Sequence, residues 1–451
     1  MAAPIRVMIQ MQADPLLTAS SYGPIEAAPA VDIANVPGVQ LDYNFAPVPL
    51  PPSPLPMAGS KSAANKLAEM YSAGQQSTYI LRAAVAAESM ENFRAKAKDD
   101  PRVVGIFSDP LIQPFAACPS GPVGTEADVA TLLSVAELNS LGLDGSGVRV
   151  AIVDTGVNLP YLNNRGKNPG FDSALSWGPQ SNMPLGNLPV NHGTMCAFDV
   201  CIAAPNCTIV DHAVLASTAQ GGSTMDGLLS DAVKSYGVLL SWISKGPGVF
   251  PGDQVPRALV VNNSWGMFNP SWDFPVGDPG NYSDNPQHPF NIIVTSLESA
   301  GADILFAAGN CGPECPDTRC QGATNNGIYG ANSSPSVICV AGVTVQKVRL
   351  GYSTKGPGHL EKKKPDVASF THFAGSGVYP ADGGTSAATP VLTGVVAAVR
   401  KLYPPGVVSP SQLRQMLRDA GGQAFDNDLG YGIVDVTQLL KALGNLLGST
   451  R

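Results

Sequence analysis

Hydrophobic patterning divides the chain into two textures, with the change near residue 118. In the first part, short apolar segments are separated by polar and Pro-rich stretches. Ile5–Met11 reads as a strand, Thr78–Ala86 (TYILRAAVA) as a second, Ala87–Lys98 as a helix and Val103–Ile112 as another strand. The run APVPLPPSPLP over Ala46–Pro56 predicts an extended, polyproline-like stretch, and Lys61–Ala73 has the spacing and helix formers of a short helix. Strand–helix–strand in so short a span predicts a small α+β module over residues 1–117, with 118–130 as a linker.

From about residue 131 to 447 the text becomes near-continuous apolar strands alternating with helices. Strands are predicted at Val148–Val153, Cys207–Leu215, Leu259–Asn263, Ile304–Ala308 and Val337–Val343. Helices are predicted at Met225–Ser244, Pro289–Ala300, Thr385–Tyr403 and Pro410–Asp419. Ser409 and Gln412 form a capping box for the last of these, and Gly421 is its expected stop. Strands apolar on both faces and separated by helices predict an α/β domain, a parallel sheet flanked by helices on both sides. In such sheets the ligand site lies beyond the carboxyl ends of the strands. Asp154 and Asn310 stand at two of those ends.

Composition narrows the function. Gly (48) and Pro (40) are too abundant for a coiled coil or helical array, and a net charge of −8 argues against nucleic acid or an anionic membrane as partner. No apolar run is long enough to span a bilayer. The N-terminus lacks a basic region followed by an apolar core, which gives a cytoplasmic expectation, with secretion by a non-classical route as the alternative.

Three segments carry chemistry. Val150–Gly156 (VAIVDTG) delivers Asp154 from a buried strand onto a tight turn. His192, Gly193 and Thr194 open a predicted helix. In Gly383–Pro390 (GGTSAATP), small residues allow close backbone approach and Ser386 begins a helix. A serine hydroxyl is a weak nucleophile, so an imidazole must take its proton, and a carboxylate must hold that imidazole's tautomer. The tetrahedral oxyanion then needs N–H donors, for which the Ser386 backbone and a side-chain amide are candidates. Each residue also has an ordinary reading, as a turn Asp, a helix-start His or a small residue at a helix start. The three together favour catalysis.

Asp154–Thr155–Gly156, His192–Gly193–Thr194, Ala307–Ala308–Gly309–Asn310 and Gly384–Thr385–Ser386, with Lys364–Pro365–Asp366–Val367 and Gly430–Tyr431–Gly432, resemble the subtilisin-like serine proteases, the subtilases, in which the triad runs Asp, His, Ser. The resemblance implies a subtilisin-like fold with Ser386 as nucleophile, His192 as general base, Asp154 as its orienting carboxylate and Asn310 as oxyanion donor. It further implies that Ser264, Trp265, Gly266, Ala307, Ala308 and Gly309 bind an extended peptide by strand addition, with a preference for apolar or aromatic residues. Residues 1–117 resemble an inhibitory propeptide, which implies an intramolecular inhibitor released by a cut within roughly 113–128. Ala387, Phe198 and the long insertion Pro270–Phe290 depart from the family's usual pattern and bear on substrate preference.

The implied reaction is hydrolysis of peptide bonds through an acyl-enzyme. A peptide ligase or macrocyclase using the same triad, and a non-catalytic binding protein with a blocked cleft, are the alternatives. Gly145–Ser146–Gly147 precedes a strand instead of joining a strand to a helix, so it is no phosphate loop. Among the eight cysteines, Cys311, Cys315 and Cys320 form one dense cluster with three readings: a disulfide-stapled loop, free thiols or a zinc site. Cys196 reads as a small buried hydrophobe near His192. His212, His288, His359 and His372 are expected in loops or at the surface. No cofactor is implied; calcium, common in subtilases, has no contiguous Asp/Asn ligand loop here and stays unassigned.

Overall fold

The computed structural model describes residues 3–12, 36–51, 78–115, 120–217, 225–244, 258–324 and 326–448. The predicted helix Lys61–Ala73, the end of the Pro-rich run and Cys118 lie outside them.

Among the described residues, the N-terminal module is a five-stranded antiparallel sheet with one α-helix, Met90–Asp99. Ile5–Gln12 pairs with Thr78–Val85 on one side and Val103–Ser108 on the other. Side chains alternate along a strand. Val7, Ile9 and Leu81 therefore face the module's own helix through Phe93 and Ala97. Met8 and Ile80 join Phe107 against Leu229–Ser244 and Pro289–Ser299, two helices of the larger domain.

Two expectations for this module need correction. Within the Pro-rich run, Val48–Leu50 is extended but paired with Thr78–Ile80, so it belongs to a sheet and not to a polyproline helix. The strand expected over Val103–Ile112 is two strands, Val103–Ser108 and Leu111–Pro114. Between them, the Asp109 carboxylate turns to accept from the Ser230 N–H (2.8 Å) and hydroxyl (2.7 Å) at the start of the Leu229–Ser244 helix, and Pro110 has no N–H to continue a ladder.

The larger domain is built on seven parallel strands in the order Val367–Phe370, Ile338–Val343, Asp303–Ala307, Leu259–Asn263, Arg149–Val153, Thr208–His212, Gly170–Phe171. Arg149–Val153, the first of these in the chain, lies inside the sheet, so chain order reverses beside it. The crevice above that point is where α/β sheets bind ligands. Helices cover both faces: His192–Ala203 and Thr385–Arg400 on one, Leu229–Ser244 and Pro289–Ser299 on the other.

His192–Ala203 and Thr385–Arg400 pack side by side. Their approach depends on Gly394, where an added Cβ would lie 2.4 Å from the Val200 carbonyl oxygen. The Ser409–Gln412 capping box forms as expected. The left-handed residue after that helix is Gly422 (φ 72°), one position later than expected, because Gly421 remains helical (φ −68°).

Candidate active site

Asp154 and Ser264 follow directly from two adjacent central strands, Asn310 stands three residues past the end of the next, and His192 and Ser386 lie in the first turns of the two packed helices. The fold thereby gathers residues from five separate segments into one crevice. The His192 Nδ1–H donates to both carboxylate oxygens of Asp154, at 2.9 and 3.0 Å, and both side chains are buried. That bond fixes the tautomer that leaves Nε2 as the acceptor. The Nε2 atom is buried and has no hydrogen-bond partner among the described residues. The His192 backbone is held by Asn191, whose side chain accepts from the His192 N–H and from the Tyr379 hydroxyl (2.8 Å).

Asn310 Oδ1 accepts from both the N–H and the hydroxyl of Thr385, each at 3.0 Å, which turns the amide NH2 toward the crevice. Gly384, at φ 75°, keeps the space beside it open. A Cβ there would lie 2.7 Å from Asn310 Nδ2 and 2.9 Å from the Phe115 carbonyl oxygen.

That second contact shows what fills the crevice. Leu111–Pro114 pairs antiparallel with Trp265–Gly266 on one side and Gly227–Leu228 on the other, so it is the middle strand of a three-stranded sheet. Phe115 continues this strand, its N–H donating to the Ser264 carbonyl (3.3 Å). The Ser386 hydroxyl lies 3.0 Å from the carbonyl oxygens of both Phe115 and Ser264.

The Phe115 ring enters a pocket with Ala307, Ala308, Gly309, Cys311 and an edge-on Phe268, 4.9 Å between centroids. It leaves a cavity of only about 10 Å³ beside it. Gly266 forms one wall, where a Cβ would lie 2.6 Å from the ring. A larger cavity, about 770 Å³, lies away from the triad, between the N-terminal module and residues 277–287.

Of the six residues expected to bind substrate, Trp265 meets the Leu111–Pro114 strand through its backbone alone. Its indole points into the core against Phe290 and Phe306. Several participants were not anticipated. Asn332 donates to the Trp265 and Ala307 carbonyls, both 2.9 Å, and so ties the two pocket walls together. Gly227–Leu228, expected as the start of a helix, is the second rim strand. The insertion after Trp265–Gly266 docks the N-terminal module: Asp273 accepts from the Ser108 hydroxyl (2.6 Å), and Asp278 pairs with Arg94 (2.7 Å).

Among the cysteines, Cys311 and Cys320 form a disulfide, and Cys315 is disulfide-bonded as well. The Cys196 Sγ lies 3.8 Å from Asp154, but burial, reinforced by the Asp154 charge, pushes its thiol well above the usual range, so it is no second nucleophile. Three of the histidines expected in loops or at the surface are buried. His212 bonds Ser235 (2.7 Å) and the Leu175 carbonyl (3.0 Å), His288 bonds the Ser108 carbonyl (2.9 Å), and His372 bonds Ser120 (2.7 Å). Burial lowers His212 and His288 to about 4, so both are neutral structural groups.

For a metal, the described residues offer one group of three close His, Cys, Asp or Glu ligands: Asp154, His192 and Cys196. They belong to the crevice itself and are not the oxygen-rich set that calcium takes. Calcium is given no residues here.

The family model for the subtilases matches residues 145–432. The chain belongs to the subtilase family. Subtilisin E of Bacillus subtilis is 27% identical over 366 residues, covering 78% of this chain and 79% of that protein. Serine protease AprX of the same organism is 25% identical over 321 residues, 64% of each chain. Fervidolysin from Fervidobacterium pennivorans, described as a keratinolytic enzyme related to subtilisin, superposes with a TM-score of 0.59 at 15% identity, covering 97% of this chain and 61% of that longer one. At that identity the structural match speaks for the fold.

This subtilase is accordingly a subtilisin-like serine protease of peptide or protein substrates. No helix among its described residues is long and apolar enough to cross a membrane.

Proposed function

We propose that this subtilase is a serine endopeptidase made with its own inhibitor and cut by its own triad after Phe115. The observation that carries the reading is Leu111–Phe115, held like a substrate strand with its last carbonyl oxygen 3.0 Å from the Ser386 hydroxyl.

In this mechanism the Ser386 hydroxyl turns toward His192 Nε2 and gives it a proton as Oγ bonds to the carbonyl carbon. The imidazolium is stabilised by Asp154. The oxyanion accepts from Asn310 Nδ2 and the Ser386 N–H, which act without reorganisation because Thr385 already holds the amide. The C–N bond then breaks, and His192 passes its proton to the departing amine of Ala116. Water, activated by the same imidazole, releases the acyl group and restores Ser386. Processing leaves the N-terminal module as an inhibitor until it departs.

The pocket that seats Phe115 supports a preference for aromatic or large apolar residues before the scissile bond. Burying such a ring is worth about 1.5–3 kcal/mol. The Cys311–Cys320 disulfide supports an oxidising compartment over the cytoplasm.

The occupied cleft also fits a permanently blocked, non-catalytic protein. Product masses from a peptide containing Leu-Ile-Gln-Pro-Phe-Ala-Ala decide between the readings. Two linear fragments that together gain one water support the endopeptidase, and a product that gains none supports a ligase. An intact peptide with unlabelled Ser386 after a fluorophosphonate supports the blocked cleft.

A further inference from the structure

The cleft strand carries one long polar side chain, Gln113, third before the proposed scissile bond, and both ends of its amide are met. The Gln113 NH2 donates to Asp226 Oδ1, in a very short contact. The Gln113 Oε1 accepts from Arg319 Nη1 at 3.3 Å.

Neither partner is a loose surface group. Asp226 is 9% exposed and directly precedes Gly227, the rim residue paired with Ile112. Arg319 is fixed by two partners. Its Nε and Nη2 bond Asp317 at 2.9 and 2.7 Å, and its guanidinium lies 3.9 Å over the Phe268 ring, which packs on Phe115. The loop that carries Asp317 and Arg319 is closed by Cys311–Cys320, and the Asp317 N–H donates to the Asn310 carbonyl (2.9 Å). The segment that sets the oxyanion donor thus also sets the arginine.

We propose that Asp226 and Arg319 form a specificity subsite that selects a neutral carboxamide, glutamine above all, at the third position before the scissile bond. This rests on Leu111–Phe115 being a substrate-like strand. One group that only accepts and one that only donates match the two ends of an amide. A glutamate would set a second carboxylate against Asp226, and Arg319 would compensate poorly because Asp317 already occupies two of its donors. An apolar residue of the same length would leave Asp226, nearly buried, without that donor. Sites built to hydrogen-bond a substrate discriminate strongly against analogues that lack the group.

Peptides Leu-Ile-X-Pro-Phe-Ala-Ala with X as Gln, Met, Ala or Glu test this on the processed enzyme, methionine serving as the near-isosteric apolar control. The expected order of kcat/KM is Gln first, exceeding Met on the order of tenfold, with Glu last. In Asp226→Ala and Arg319→Ala the Gln-to-Met ratio falls toward one, and as an internal ratio it is insensitive to partial loss of folded enzyme. Equal cleavage of the Gln and Met peptides by the wild type would overturn the subsite and leave the endopeptidase standing. Failure to cut any of them after Phe, with Ser386 unlabelled by a fluorophosphonate, would overturn the endopeptidase reading and the subsite together.

Discussion

Ser386 Oγ lies 3.0 Å from the carbonyl oxygen of Phe115, a residue 271 positions earlier in the chain. The contact joins two modules that also share one apolar cluster, and it depends on strand pairing that starts at Leu111. The nucleophile is therefore covered by a segment of its own chain. His192 Nε2 stands buried nearby, ready to accept the proton once the hydroxyl turns.

Asn310 and Thr385 make a first prediction. Asn310→Ala removes an oxyanion donor, and removal of the corresponding donor in subtilisin costs roughly 10²–10³ in kcat. Thr385→Val keeps shape but loses the hydroxyl that bonds Asn310 Oδ1 and accepts from the Gly309 N–H. The expected loss is on the order of tenfold in kcat with KM nearly unchanged. Steady-state kinetics on a Phe-containing peptide separates this from a binding defect, which would raise KM.

The Cys311–Cys320 disulfide lines the Phe115 pocket and closes the loop that carries Arg319. Replacing both cysteines with serine removes that closure, while Cys315 keeps its own disulfide. KM for Phe-containing peptides should rise several-fold, with a smaller change in kcat. Unchanged kinetics would show that the pocket is set without the staple.

Arg82 makes a short, buried ion pair between the modules. It pairs with Asp231 at 2.6 Å and with Asp109 at 3.6 Å, and its Nε donates to the Ser230 hydroxyl at 2.7 Å. Arg82→Ala leaves two buried carboxylates without their cation, a costly arrangement. In a Ser386→Ala background, which keeps the chain whole, the melting temperature should fall by several degrees. Calorimetry that finds no shift would contradict the docking role.

Asp211 predicts a pH effect on stability. Burial raises its carboxyl to about 7 against two opposing backbone hydrogen bonds, from Gly186 (2.8 Å) and Val157 (3.2 Å), with the Asp154 charge adding to the rise. A folded pKa above the unfolded value of about 3.9 means that the native state holds the proton longer. Stability from this group therefore falls as pH climbs from about 4 to about 7 and is level above that. Asp211→Asn removes the charge and retains an acceptor for the two N–H groups. It should raise the melting temperature by a few degrees at pH 8 and by less at pH 5. A larger gain at pH 5 would reverse the sign and refute the assignment.

Asp154, Asn310 and the parallel sheet were legible because an apolar strand that ends in a polar residue marks both the element and its active end. The cleft strand was not. Leu111–Phe115 is as apolar as the strand before it, so pattern alone merged the two, and only tertiary pairing with Gly227–Leu228 and Trp265–Gly266 separates them. The pleat explains Trp265, since in a two-residue rim strand the neighbour of Gly266 must point away from the cleft. Asn332 and Asp226 carry no motif because each acts through hydrogen bonds to partners distant in the chain: Trp265 and Ala307 for the first, Gln113 for the second. The buried histidines escaped for the same reason: Ser108, the partner of His288, lies 180 residues away.

Cleavage after Phe115 by Ser386 is the central claim, and intact mass of the purified full chain tests it most directly. The wild type should lose the residues up to Phe115, begin at Ala116 and take up one fluorophosphonate. Ser386→Ala should stay whole and unlabelled. A wild-type chain that remains full length and unlabelled, or one cut elsewhere while Ser386→Ala is cut equally, would contradict the account.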